Sequence, residues 1–154
     1  MATWRNDLTD LYLLGAIEAA AAIRNGECSS EELVRSCSER IQALEGSVAA
    51  WAHFDPDYAL QQARAADKYR QTGAALGPLH GVPVGIKDIF DTEDMPTEYG
   101  TRLQAGHMPG HDASVVAQLR QAGAIIMGKT VTAELAVMTP GKTTNPNDPG
   151  RTPG

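Results

Sequence analysis

Aromatic side chains are scarce, at 5% of the chain, so any core has to be assembled from Ala, Leu, Ile and Val. Cysteine is scarcer. Cys28 and Cys37 stand alone, too few for a disulfide framework and not spaced as a metal knuckle. A reduced, cytoplasmic setting is therefore expected. No stretch approaches the ~18 apolar residues that a membrane-spanning helix requires. The opening Met1-Ala2-Thr3-Trp4-Arg5-Asn6-Asp7 lacks the basic-then-apolar order of a secretory signal, and Ala19 to Ile23 is too short to serve as one. Lys and Arg never gather into a block and the net charge is -6, which disfavours nucleic acid and anionic membranes as partners. His80, His107 and His111 are not spaced as metal ligands, and His53 is distant from them in the sequence. No metal or cofactor is expected.

What is present suits a folded domain. At 154 residues, 42% hydrophobic and 21% charged, the chain can bury one core. A first helix is predicted from Ala16 to Arg24, stopping at Asn25-Gly26. A second begins near Ser29, where Ser29-Ser30-Glu31-Glu32 has the form of a capping box. Its Leu33, Val34, Cys37, Ile41 and Leu44 recur at helical intervals as one buried stripe. Cys37 reads as a core residue rather than a reactive thiol. Gly46 is the expected stop.

Val48 to Phe54 is β-like. Asp55 then caps a third helix, Asp57 to Gln71, with Pro56 in its first turn. Leu60, Ala63 and Lys68 make no strong apolar face, so this helix is expected at the surface, closed by Gly73.

The middle of the chain changes character. Val82 to Asp88 reads as a strand with Val82, Val84 and Ile86 on one face. Asp112 is the expected cap of a helix from Ala113 to Ala122, with Val115, Val116 and Leu119 inward. After Gly123, Ala124-Ile125-Ile126-Met127 reads as a buried strand. Strand, helix, strand predicts a crossover onto a parallel pair. The expected division is a mainly helical layer over 1–75, a strand and βαβ-like unit over 76–138, and a Pro/Gly-rich stretch over 139–154.

Lys87 ends the predicted strand, with Gly85 two residues earlier on the same face leaving space for a side chain or substrate. A lysine in water has a pKa of about 10.4 and is a poor base at neutral pH. A desolvated one can accept a proton and activate a serine. On spacing alone, the ordinary reading of a strand-end lysine paired with a carboxylate is favoured.

The wider pattern reverses that preference. Gly77-Pro78-Leu79-His80-Gly81-Val82-Pro83-Val84-Gly85-Ile86-Lys87-Asp88 resembles the lysine-bearing segment of the amidase signature family. Pro96-Thr97-Glu98-Tyr99-Gly100, the block from Asp112 through Val116 to Gly123 and Thr130, Glu134-Leu135-Ala136, and Asn145-Pro146 to Pro153-Gly154 resemble successive later segments of the same family. The resemblance covers essentially the whole chain and is most specific from Gly77 onward. It implies an α/β fold, the N-terminal part of a mixed sheet flanked by helices. It implies amide hydrolysis by a Ser–Ser–Lys triad in which Lys87 is the base, acting through a bridging serine, while a second serine attacks the amide carbon. It places Val137 and Met138 at the acyl pocket, although a plain packing role fits them equally.

The chain is expected to stop just before the Gly/Ser-rich loop that would hold both serines. None of Ser29, Ser30, Ser36, Ser38, Ser47 or Ser114 sits in a Gly-rich loop after Lys87. Alone, then, the chain is expected to be inactive. A small-molecule amide is the expected substrate of the intact enzyme. A C-terminal complement and self-association through an exposed sheet edge are the expected partners. The alternatives are a noncatalytic fragment and an amidotransferase A-subunit-like piece. The wording of Pro96 to Gly100 leans toward a stand-alone amidase.

One motif is a decoy. Gly123-Ala124-Ile125-Ile126-Met127-Gly128-Lys129-Thr130 fits G-x-x-x-x-G-K-[ST] letter for letter. A phosphate-binding loop follows a strand and opens a helix, whereas here a helix precedes and the middle residues are bulky. The acidic residues Asp88, Asp91, Glu93, Asp94 and Glu98 match no calcium loop and read as a solvated loop. Tyr99 and Arg102 carry no assignment.

Overall fold

A computed structural model of the chain describes residues 8–137 and 139–153. Helix α1 (Ala16–Asn25) is closed by Gly26 in the left-handed conformation, φ 75°, as Asn25-Gly26 predicted. Helix α2 (Ser30–Val48) opens with the predicted box. The Glu32 amide donates to Ser29 Oγ at 3.1 Å, and the Ser29 amide donates to the Glu32 carboxylate at 2.7 Å.

Gly46 does not stop α2, which continues to Val48. The neighbouring Glu45 explains this, because its carboxylate accepts the amides of Ala50 and Trp51 at 3.0 and 2.9 Å. That bracket ties the helix end to the next strand and outweighs the roughly 1 kcal/mol cost of an interior glycine.

Strand β1 (Trp51–Phe54) leads into α3 (Pro56–Gln71). Asp55 caps α3 by accepting the Tyr58 amide at 3.0 Å. This helix lies at the surface as expected, but it has a buried face that its hydropathy did not show. Ala59 and Ala63 are 0% exposed and pack with Val34, Ile125 and Met127. Its buried face is built of alanines, whose small size lets the helix backbone lie close to the sheet. Low hydropathy concealed a close packing surface.

Strand β2 (Pro83–Lys87), helix α4 (Ser114–Gln121) and strand β3 (Ile125–Thr130) form the predicted crossover. β2 and β3 pair in parallel and β1 joins β3 antiparallel, giving a mixed sheet in the order β1-β3-β2. The registers bring Gly85 opposite Gly128, Ile86 opposite Lys129 and Lys87 opposite Thr130. Two details of α4 differ from expectation. Its N-cap is Ala113, because Asp112 is engaged elsewhere, accepting the Glu93 amide and Arg120 Nε at 2.8 and 2.9 Å. Val115 faces outward at 43% exposure, and Val116 alone of the three expected residues is fully buried.

Alternation along the strands divides the core between the two sheet faces. Ile86 and Ile126 pack with Met95 and Val116. Ile125 and Met127 pack on the other side against α2 and α3. Val82, just ahead of β2, instead joins the cluster around Ile23 and Leu33.

Candidate functional site

Lys87 is the last residue of β2, and the chain turns sharply after it. The amides of Ile89 and Phe90 both return to the Lys87 carbonyl, at 2.7 and 3.0 Å. Its side chain is exposed, so the desolvation expected of a working base is not supplied by the described residues. Gly85 does leave room beside it, and Trp51 occupies that room. A Cβ at Gly85 would lie 3.1 Å from the far edge of the Trp51 indole and 3.0 Å from Thr130 Cγ2. A Cβ at Gly128 would lie 3.1 Å from the same ring and would clash with the His53 carbonyl. Two glycines at matched register therefore let the indole lie across the sheet toward Lys87.

Thr130, opposite Lys87, lines a cleft of ≈ 630 Å³ together with Val131, Thr132, Ala133 and Val137. Val137 is 73% exposed at this cleft. Met138 lies outside the described residues. The cleft continues along the segment ending at Pro153, so strand ends and Pro/Gly-rich stretch share one wall. Leu135 and Ala136 hold it at φ 49° and 58°, left-handed values uncommon for residues with a Cβ. The Leu135 amide donates to the Tyr99 carbonyl at 2.8 Å, which fixes this segment to the loop after β2.

Behind Lys87, on the opposite sheet face, lies a buried ion pair that sequence reasoning did not find. Lys129 is 0% exposed and Asp88 is 2% exposed, with Lys129 Nζ 3.3 Å from Asp88 Oδ1. The ammonium also donates to the Pro96 carbonyl at 3.1 Å and to Thr97 Oγ1 and Thr92 Oγ1. The Asp88 carboxylate accepts the Glu98 amide at 3.2 and 3.3 Å. Burial pulls the Lys129 pKa below the ordinary lysine value, and Asp88 pushes it back up. Lys129 entered the sequence reading as part of the decoy motif and of the family-like block ending at Thr130, with no role assigned. The usable signal was a lysine inside an apolar strand together with acids clustered after Lys87.

That decoy is resolved by the sheet. Residues 125–130 form the central strand, bonded to β1 on one side and β2 on the other. Their amides are committed to the ladder, and Lys129 points into the core rather than toward a phosphate.

The acidic loop is also more ordered than expected. Tyr99 donates to Asp91 at 2.5 Å and Tyr58 donates to Asp94 at 2.7 Å. Arg120 bridges Asp94 and Asp112 at 2.7 and 2.9 Å. Glu98 accepts the Gly106 amide at 2.7 Å. These carboxylates brace the loop and draw the Tyr58 and Tyr99 hydroxyl pKa values upward. The histidines have local roles: His80 Nε2 meets the Ala66 carbonyl at 3.0 Å, and His111 Nδ1 meets that of Pro109 at 3.0 Å. Among the described residues, no group of His, Cys, Asp or Glu could hold a metal ion. No helix among them is long and apolar enough to cross a membrane.

Comparison with known proteins adds three findings. Residues 32–154 match the model of the family described as Amidase. The A-subunit of glutamyl-tRNA(Gln) amidotransferase from Chloroflexus aurantiacus is 42% identical, the match covering 96% of this chain and 31% of that protein. Its counterpart from Thermobifida fusca is also 42% identical, with the same coverage of 96% and 31%. The native peptide amidase of Stenotrophomonas maltophilia superposes with a TM-score of 0.85 at 31% identity, covering 94% of this chain and 32% of that one. The chain thus spans about a third of the length of the relatives it matches.

Proposed function

This chain belongs to the amidase family, and on that premise we propose that it supplies the base of a Ser–Ser–Lys triad acting on an amide, with Lys87 as that base. The observation that carries the reading is the setting of Lys87. It ends β2 within Gly81-Val82-Pro83-Val84-Gly85-Ile86-Lys87-Asp88, and its register partner Thr130 lines the cleft that Val137 borders. Lys87 would take the proton of a bridging serine, which in turn takes that of a nucleophilic serine as it attacks the amide carbon. The departing amine receives the proton, and water then releases the acid from the acyl-enzyme. Val137 and Met138 would contribute to the wall that holds the acyl group.

Ser114 is the sole serine after Lys87 in these 154 residues, and it opens α4 rather than a Gly-rich loop. Both serines and the oxyanion donors are accordingly assigned to the region that makes up the remaining ~69% of the relatives, and that region would also desolvate Lys87.

A second reading is favoured by the 42% identity to the glutamyl-tRNA(Gln) amidotransferase A-subunit. In that case the amide is glutamine and the released ammonia passes to an acceptor held by a partner, rather than to water as in a free amidase. Glutaminase activity that rises with an acceptor would select this reading, and turnover of simple amides without one would select the free amidase.

The first test is complementation. Residues 1–154 alone are expected to show no amide turnover, and addition of the C-terminal region is expected to restore it. In the restored enzyme, Lys87→Ala should lower kcat/KM by at least ~10³-fold. Turnover by homogeneous residues 1–154, or a Lys87→Ala enzyme within tenfold of the parent, would overturn the assignment.

A further inference from the structure

Lys129 is the largest fully buried side chain among the described residues, and stability does not account for it. A buried ion pair gains little over apolar residues of the same shape, because desolvation offsets the Coulomb attraction. The strand around it is otherwise apolar, with Ile125, Ile126 and Met127 packed on both faces. The distinguishing property of the pair is its location. Asp88 follows Lys87 in the chain, and Lys129 precedes Thr130, the register partner of Lys87. The pair ties the end of β2 to β3 and to the loop that follows. Lys129 grips Asp88 and the 92–97 loop, Asp88 grips the Glu98 amide, and the Asp88 amide donates to the Thr130 carbonyl at 2.9 Å.

We infer that Lys129 and Asp88 are positioning residues for Lys87, fixing the end of β2 so that its terminal lysine meets the bridging serine at one distance and angle. This rests on the reading of Lys87 as the base. The apolar surroundings make the clamp rigid, since an ammonium buried there has no water to which it can defect. A small displacement of a reacting group is costly, of the order of 10²-fold for 1 Å.

The test uses the complete enzyme, residues 1–154 together with the C-terminal region, in three forms: Lys129→Met, Asp88→Asn with Lys129→Met, and Lys87→Ala. Thermal stability, kcat and KM are measured on each, with kcat expressed per folded enzyme. Lys129→Met is expected to lower kcat about 10–100-fold with KM nearly unchanged. It should also lower Tm, because Asp88 is left buried without its partner. The double variant removes both charges and is expected to recover Tm while kcat stays low, because the ammonium clamp on Pro96 and Thr97 is still missing. Should Lys129→Met fail to fold, the double variant carries the same test. Recovery of kcat together with Tm, or kcat within about twofold of the parent in the double variant, would overturn the positioning role. Lys87→Ala separates the two ideas. If it is inactive while the double variant works normally, only the positioning role fails. If it is active, the base assignment itself fails.

Discussion

Cys28 packs with Ala19, Ala20, Ile23, Leu33 and Val82, where a thiolate has no solvation. Burial first, then the nearby carboxylates of Glu32, Glu27 and Asp67, push its pKa from 9.0 up to about 11. The folded chain therefore keeps the thiol proton across a range in which the unfolded chain has lost it. The resulting stability is complete below about pH 9 and is lost as pH rises through about 11. Urea titrations should show the midpoint falling across that window, and Cys28→Ala should flatten the fall. An equal decline in the variant would place the cause elsewhere. Lys87 and Lys129 differ in how far the sequence exposed them. Lys87 stands in a dense local pattern and could be picked out on residues adjacent to it. The partners of Lys129 lie 32 to 37 positions away, at Thr97, Pro96 and Thr92, and no local pattern reports them.

Element boundaries follow the same logic of distance along the chain. The Ser29–Glu32 box, the Asp55 cap and the Gly26 stop are all made by residues within four positions of the backbone groups they satisfy, and all three were legible. Ser29→Ala should cost α2 about 1 kcal/mol, seen as a lower urea midpoint with the m-value unchanged. An unchanged midpoint would mean that Glu32 alone secures the helix start. The extension of α2 past Gly46 rests on Glu45 reaching five and six residues forward to the Ala50 and Trp51 amides, a contact that no helical spacing reports. The buried face of α3 depends on alanines, whose value as close packers cannot be seen until the facing strand is known. The parallel crossover was readable from its order of elements, whereas the antiparallel addition of β1 to β3 was not. Its first paired residues are Trp51 and Thr130, joined by neither a turn nor a shared motif.

On the scale of the whole molecule, the sheet ends, the cleft and the braced acidic loop gather on one side, where Lys87, Val137 and Leu135 are exposed. The proposed C-terminal region, docking there, would cover the strand ends. Trp51 lies half-buried at that place, its indole laid over Gly85 and Gly128 and its environment completed by whatever packs beside Lys87. The tryptophan is thus a built-in optical reporter. With Trp4→Phe removing the second indole, the emission of Trp51 should shift to shorter wavelength as the C-terminal region is titrated in, and the titration curve should overlay the recovery of turnover. An emission maximum that stays fixed while activity returns would mean that docking leaves this face open to water, with Lys87 catalysing as a solvated amine.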